Sequence, residues 1–118
     1  MDIETFRTYC LTKKAVEESF PFDEHTLVFK LMGKIFAILP LDEPNPRANL
    51  KADPDLSTEL RERHPQIIPG IHMNKKHWNT IMLDEGLDDA LIRELIDHSY
   101  QLILDKLPKK SKDQVNEL

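Results

Sequence analysis

The sequence predicts an α+β fold, a two-layer sandwich in which helices from both ends of the chain pack on one face of an antiparallel sheet. Three observations carry this. Helical spacing of apolar residues is confined to the two ends and one short central segment. The middle of the chain holds short runs rich in Val, Ile, Phe and Leu. The three glycines, at 33, 70 and 86, are not spaced as the strand-to-helix loops of a nucleotide-binding α/β fold. A single domain spanning residues 1–118 is expected, with 109–118 as a frayed tail.

The elements follow in order. Asp2 can cap a short first helix with Ile3, Phe6 and Cys10 on one side, and Thr12 a second one through Glu18. Pro21 closes that region. Thr26–Met32 and Lys34–Leu39 read as a hairpin, with Gly33-Lys34 as a two-residue turn that needs glycine first. On that register Leu27, Phe29, Leu31, Phe36 and Ile38 share the core face; Val28, Lys30, Met32, Ile35, Ala37 and Leu39 share the other. A bulged turn would shift the pairing by one. Arg47–Lys51 alternates as a third strand, with Ala48 and Leu50 inward. Asp53-Pro54 starts a helix, Asp as cap and Pro at the first helical position; Pro65 stops it after His64. Pro69-Gly70 is a turn, and His77–Leu83 a last strand with Ile81 and Leu83 inward. Asp88 or Asp89 caps a long helix to Leu107 with a wide stripe of Leu91, Ile92, Leu95, Ile96, Leu102 and Ile103.

Several chemistries are excluded or disfavoured. One cysteine, Cys10, permits no intrachain disulfide and no multi-Cys zinc site. Its helical position beside Phe6 suits a packed thiol without a base. His64, His72 and His77 are eight and five residues apart, which matches no zinc pattern. No apolar run reaches the ~18 residues of a membrane helix. Met1-Asp-Ile-Glu4 lacks the basic-then-apolar layout of a secretory leader. A cytoplasmic protein with no enzymatic activity, no cofactor and no metal is expected.

The most informative stretch is His72-Met-Asn-Lys-Lys-His-Trp-Asn-Thr80, where two lysines and two histidines flank the single tryptophan. The net charge is −5, yet Arg63 to His77 holds three cations and no acid. Lysines grip phosphates and an aromatic face stacks bases; equally, Trp78 fits a sheet residue and the lysines a soluble edge. Lys30, Arg47, Asn49, Lys51, Trp78, Thr80 and Met82 fall on the face away from the predicted core. The candidate nucleic-acid contacts are therefore Lys30, Arg47, Arg63, His72, Lys75, Lys76, His77 and Trp78.

These segments together resemble the MmcQ/YjbR family. The resemblance rests on Phe20-Pro21-Phe22, the run from Val28-Phe29-Lys30 through Gly33-Lys34-Ile35-Phe36-Ala37, and Ile68-Pro69-Gly70. It continues in His72 to Thr80, Asp97-His-Ser-Tyr100 and Leu107-Pro-Lys-Lys110. It implies a CyaY-like (frataxin-like) sandwich and a DNA-binding role through a "double wing" of sheet hairpins. Iron-handling proteins of that fold carry an acidic ridge on the first helix. Here Asp2, Glu4, Glu17 and Glu18 are interrupted by Arg7, Lys13 and Lys14, so no iron role follows. Two readings remain: weak, mainly phosphate-directed DNA binding, or a protein-interaction adaptor whose exposed face around Trp78 docks a partner. No membrane partner is expected.

Overall fold

A computed structural model describes all residues 1–118. Helix α1 (Ile3–Leu11) starts where Asp2 accepts the Thr5 N–H at 2.7 Å, and buries Phe6 and Cys10. The chain does not continue into a second helix. It turns through Ala15 at φ 63° and returns as an edge strand β1 (Val16–Ser19). The expected helix over Thr12–Glu18 is thus a turn over 12–15 followed by a strand. Four residues are too few to display alternation, and Glu17-Glu18 are good helix formers. Tertiary contacts decide instead: Glu17 lies opposite Lys30, Arg7 clamps Glu18 with its guanidinium, and the Tyr100 hydroxyl donates to the Lys14 carbonyl at 2.7 Å.

Strands β2 (Thr26–Leu31) and β3 (Lys34–Pro40) form the predicted hairpin, but with a corrected register. Leu31 pairs with Lys34, so the turn residues are Met32 and Gly33, at φ 49° and 81°. Two positive φ values mark a type I′ turn rather than one that needs glycine first. Phe29 opposes Ala37 while Lys30 opposes Ile35, which leaves Phe36 as an extra residue in a bulge. The bulge keeps Phe36 in the core and exchanges the faces beyond it. Ala37 and Leu39 turn inward, and Ile38, expected inward, joins Val28 on the other face. Methionine in the left-handed region carries strain that asparagine relieves. Met32→Asn is expected to raise unfolding free energy by about 1 kcal/mol, measured as a higher urea midpoint at unchanged slope.

Strand β4 (Arg47–Lys51) turns Ala48 and Leu50 inward as expected. Helix α2 (Pro54–Arg63) is capped by Asp53, which accepts the Asp55 and Leu56 N–H groups at 3.0 and 3.3 Å. The segment before Gly70 is a short strand β5 (Ile67–Pro69) that pairs with β6 (Trp78–Met82). Helix α3 (Asp89–Lys106) follows, capped by Asp88. The expected frayed tail is instead helix α4 (Lys109–Asn116), held by Val115, which is buried against the core. A single apolar residue within eight gave too thin a stripe to predict it.

The sheet is antiparallel throughout, in the order β1-β2-β3-β4-β6-β5. All four helices contribute to one core on one face: Phe6 and Cys10 from α1, Leu60 from α2, Ile92 and Ile96 among others from α3, Val115 from α4. Ser99 of α3 stitches this layer to the sheet. Its hydroxyl donates to the Phe36 carbonyl at 2.6 Å and accepts the Lys51 N–H at 2.9 Å. The opposite face carries a small cluster of Val28, Ile38 and Trp78 with no helix over it.

Candidate functional site

The antiparallel register sorts the charged residues to two ends of the sandwich. At one end lie the β2–β3 turn (Leu31–Lys34), the last residue of β4 (Lys51) and the first of β6 (Trp78). The C-terminus of α3 ends there too: Lys106 shares a notch of about 180 Å³ with Lys51, His77 and the Ala52–Pro54 segment. At the other end lie the start of β2, the end of β3, Arg47 and Met82. The loops there hold Asp23, Glu24, Asp42, Glu43, Asp84, Glu85 and Asp88, and Asp89 opens α3 beside them. The molecule is basic at its turn end and acidic at the opposite end.

The sequence-predicted contacts divide between these ends. Lys30, Lys75, Lys76, His77 and Trp78 gather at the basic end. Arg47 lies at the acidic end, paired with Glu43 at 3.2 Å. Arg63 is at the far end of α2, beyond which β5 begins opposite Ile81, and it pairs with Glu59 at 2.9 Å. Arg47 and Arg63 therefore do not join Lys75 and Lys76 in one patch, and the stretch Arg63–His77 is not a single surface. His72, at φ 59°, lies over the helix-free face. His64, His72 and His77 are likewise dispersed.

Trp78 requires a correction as well. It is only 8% exposed, packed on Val28 and Ile38 with Met73 against the cluster. The Lys51 ammonium sits over its ring, 5.5 Å from the centroid. Its ring is not free to stack a base, and it is not an exposed anchor for a protein partner. The sheet face around it was expected to be basic, with Trp78 as its one aromatic. Instead, the register change brings Ile38 beside it.

The residues that sequence reading left out of the site are Lys34, Lys51 and Lys106. None makes an ion pair, whereas Arg7, Lys13, Arg47, Arg63 and Lys109 all do. Burial pulls the Lys51 ammonium below its usual range, and the neighbouring charges of Lys106 and Lys34 pull it further. Each of the three ends or begins an element, so strand order, not spacing in the chain, brings them together.

The loop bearing Lys75 and Lys76 is built rather than loose. Gly70 donates to the Trp78 carbonyl at 2.9 Å, and a side chain at Gly70 would meet Met73 and Trp78 Cβ at 2.9 Å. The Lys75 ammonium donates back to the Gly70 carbonyl at 2.9 Å. Arg61 of α2 fastens the loop from behind. Its guanidinium donates to Asn79 Oδ1 at 2.7 Å, to the Trp78 carbonyl at 3.2 Å and to the Lys75 carbonyl. Arg61→Met is expected to cost about 2 kcal/mol, because charged donors are lost and their acceptors left unpaired. Hydrogen exchange should accelerate across Gly70–His77 before the rest of the sheet.

Cys10 offers no nucleophile: it is fully buried, and burial raises its thiol far above the usual range. No helix is long and apolar enough to cross a membrane.

A six-stranded antiparallel sheet, backed on one face by four helices and bearing a stapled basic loop before β6, defines a small α+β sandwich domain. A crystal structure of Deinococcus radiodurans protein DR2400, a DUF419 domain, is similar to it with a TM-score of 0.89 and 38% identity, over 97% of this chain and 87% of that one. A Pseudomonas syringae protein of known crystal structure is similar with a TM-score of 0.76 and 30% identity, over 86% of this chain and 98% of that one. The chain belongs to the YjbR (MmcQ) family, whose model, described as YjbR, matches residues 11–102. Among its relatives are two uncharacterised Escherichia coli proteins. YbdF of strain O157:H7 is 39% identical over 95% of this chain and 92% of its own length; YjbR of strain K12 is 35% identical over 95% of each.

Proposed function

We propose that this YjbR-family protein is a non-enzymatic module that binds DNA weakly, through phosphate contacts at its basic end and without reading bases. One observation carries the reading. Lys34, Lys51 and Lys106 make no ion pair (Asp53, which lines the notch of Lys51 and Lys106, is occupied in capping α2), and burial together with the neighbouring ammoniums depresses Lys51. A base whose folded pKa is lowered costs the fold stability while it stays charged, that is, at every pH below the folded value. An anion in the notch beside Lys51 and Lys106 removes that cost. Lys75 and Lys76 extend the same end outward. The acidic opposite end repels the duplex and so orients approach. The DNA contact thus moves from the sheet face, where Trp78 is covered, to the end of the sheet.

The test is a titration with duplex DNA across ionic strength. Three to five phosphate contacts predict a log–log slope of roughly −3 to −4.5 and micromolar or weaker affinity near physiological salt. Absence of binding at low salt, or binding indifferent to salt, overturns the reading.

A further inference from the structure

The helix-free face of the sheet carries a hollow of about 600 Å³ that the DNA reading does not use. Its floor is apolar, made by Ile35, Ile38 and Trp78, with Met73 at one wall. One polar group interrupts that floor: Asn49, which is 7% exposed. Asn49 lies beside Ile38 on β3 and Thr80 on β6. Its orientation is fixed by a relay. The Ile71 N–H donates to Thr80 Oγ1 at 2.9 Å, and the Thr80 hydroxyl donates to Asn49 Oδ1 at 2.6 Å. The amide oxygen is therefore occupied, and the Nδ2 hydrogens have no acceptor in the protein. A largely buried side chain whose amide nitrogen opens onto a hollow of ligand size marks a recognition point for an acceptor atom.

The rim sets the charge of that ligand. Glu43 is neutralised by Arg47 at 3.2 Å. The Asp23 carboxyl is held below its ordinary value by the N–H of His25 and by the hydroxyl and N–H of Thr26. Asp42 meets only the His25 imidazole, at 3.5 Å. Two carboxylates thus face the mouth without a permanent cation, which favours a positive ligand and rejects an anionic one. A nucleotide phosphate does not fit this electrostatics, so the hollow differs from the basic end in chemistry, although Trp78 borders both.

We propose that this hollow binds a small aromatic amine: its ring over Ile35 and Ile38, against the exposed edge of Trp78, an acceptor atom on Asn49 Nδ2, and its ammonium between Asp42 and Asp23. The single tryptophan in the floor makes the test direct. Phenylalaninamide carries all three features, and N-acetylphenylalanine keeps the ring but reverses the charge. Phenylalaninamide should change Trp78 emission saturably in the millimolar range expected for so small a ligand. It should also move the Asn49 side-chain amide pair in a proton–nitrogen correlation spectrum. N-acetylphenylalanine should bind about tenfold more weakly or worse. Asp42→Asn, an exposed change that leaves the core intact, should weaken phenylalaninamide about three- to fivefold. No saturable response overturns the proposal. So does equal binding of the anion, or an emission change with the Asn49 amide signals unmoved.

Discussion

Phe36→Ala is expected to lower unfolding free energy by about 3–5 kcal/mol, more than either Met32→Asn or Arg61→Met changes it. Phe36 is fully buried at the bulge of β3. Its ring lies 5.6 Å from that of Tyr100, edge to face at 86°, and 6.4 Å from that of Phe29. Truncation therefore removes one ring and two aromatic contacts at once. The site has little freedom to collapse. The Phe36 carbonyl is held by the Ser99 hydroxyl, which also takes the Lys51 N–H, so the bulge, the end of β4 and α3 are fixed relative to one another. A loss of this size is a large fraction of the ~5–15 kcal/mol available to a domain. Urea denaturation measures it as a lower midpoint at similar slope. A loss below about 1 kcal/mol would mean that the ring is not enclosed as described.

Much of this architecture was legible because it is written locally. Asp53-Pro54 is a helix start by cap chemistry alone, and the α3 stripe and the Arg47–Lys51 alternation need no partner to be recognised. What was not legible depends on contacts from afar. The bulge at Phe36 follows from two consecutive residues, Phe36 and Ala37, both finding space beneath α3, which no period of two can announce. Strand β1 exists because β2 offers it an edge. Helix α4 exists because Val115 finds the core. The same distinction governs the candidate site. Lys75 and Lys76 stood out as neighbours in the chain, and Arg63 was grouped with them for the same reason. Yet α2 separates the positions: its ten residues climb about 15 Å at 1.5 Å per residue and carry Arg63 toward the acidic end. Conversely, Lys34, Lys51 and Lys106 are far apart in sequence and meet only through strand order. The hollow around Asn49 was still less accessible, since its open amide depends on a hydrogen-bond relay from Ile71 through Thr80.

That separation of Arg63 from Lys75 and Lys76 leads to the second large effect. Lys75→Glu with Lys76→Glu should weaken duplex binding on the order of a hundredfold or more at low salt, for all sequences alike. Arg47→Glu with Arg63→Glu makes the same change in net charge, and should leave affinity within about threefold. If only overall charge mattered, the two pairs would behave identically, because each removes two cations and adds two anions. They differ because Lys75 and Lys76 lie in the loop that leads through His77 to the notch of the unpaired Lys51 and Lys106, whereas Arg47 and Arg63 are already paired with Glu43 and Glu59. The salt dependence separates contact from repulsion. Losing two phosphate contacts should flatten the log–log slope by about 1.8, while a purely long-range effect would not remove counterion release at the contact. Matched melting curves establish first that both variants are folded. Equal losses in the two variants, or a strong loss only from the arginine pair, would place any DNA contact away from the basic end and refute the proposed mode of binding.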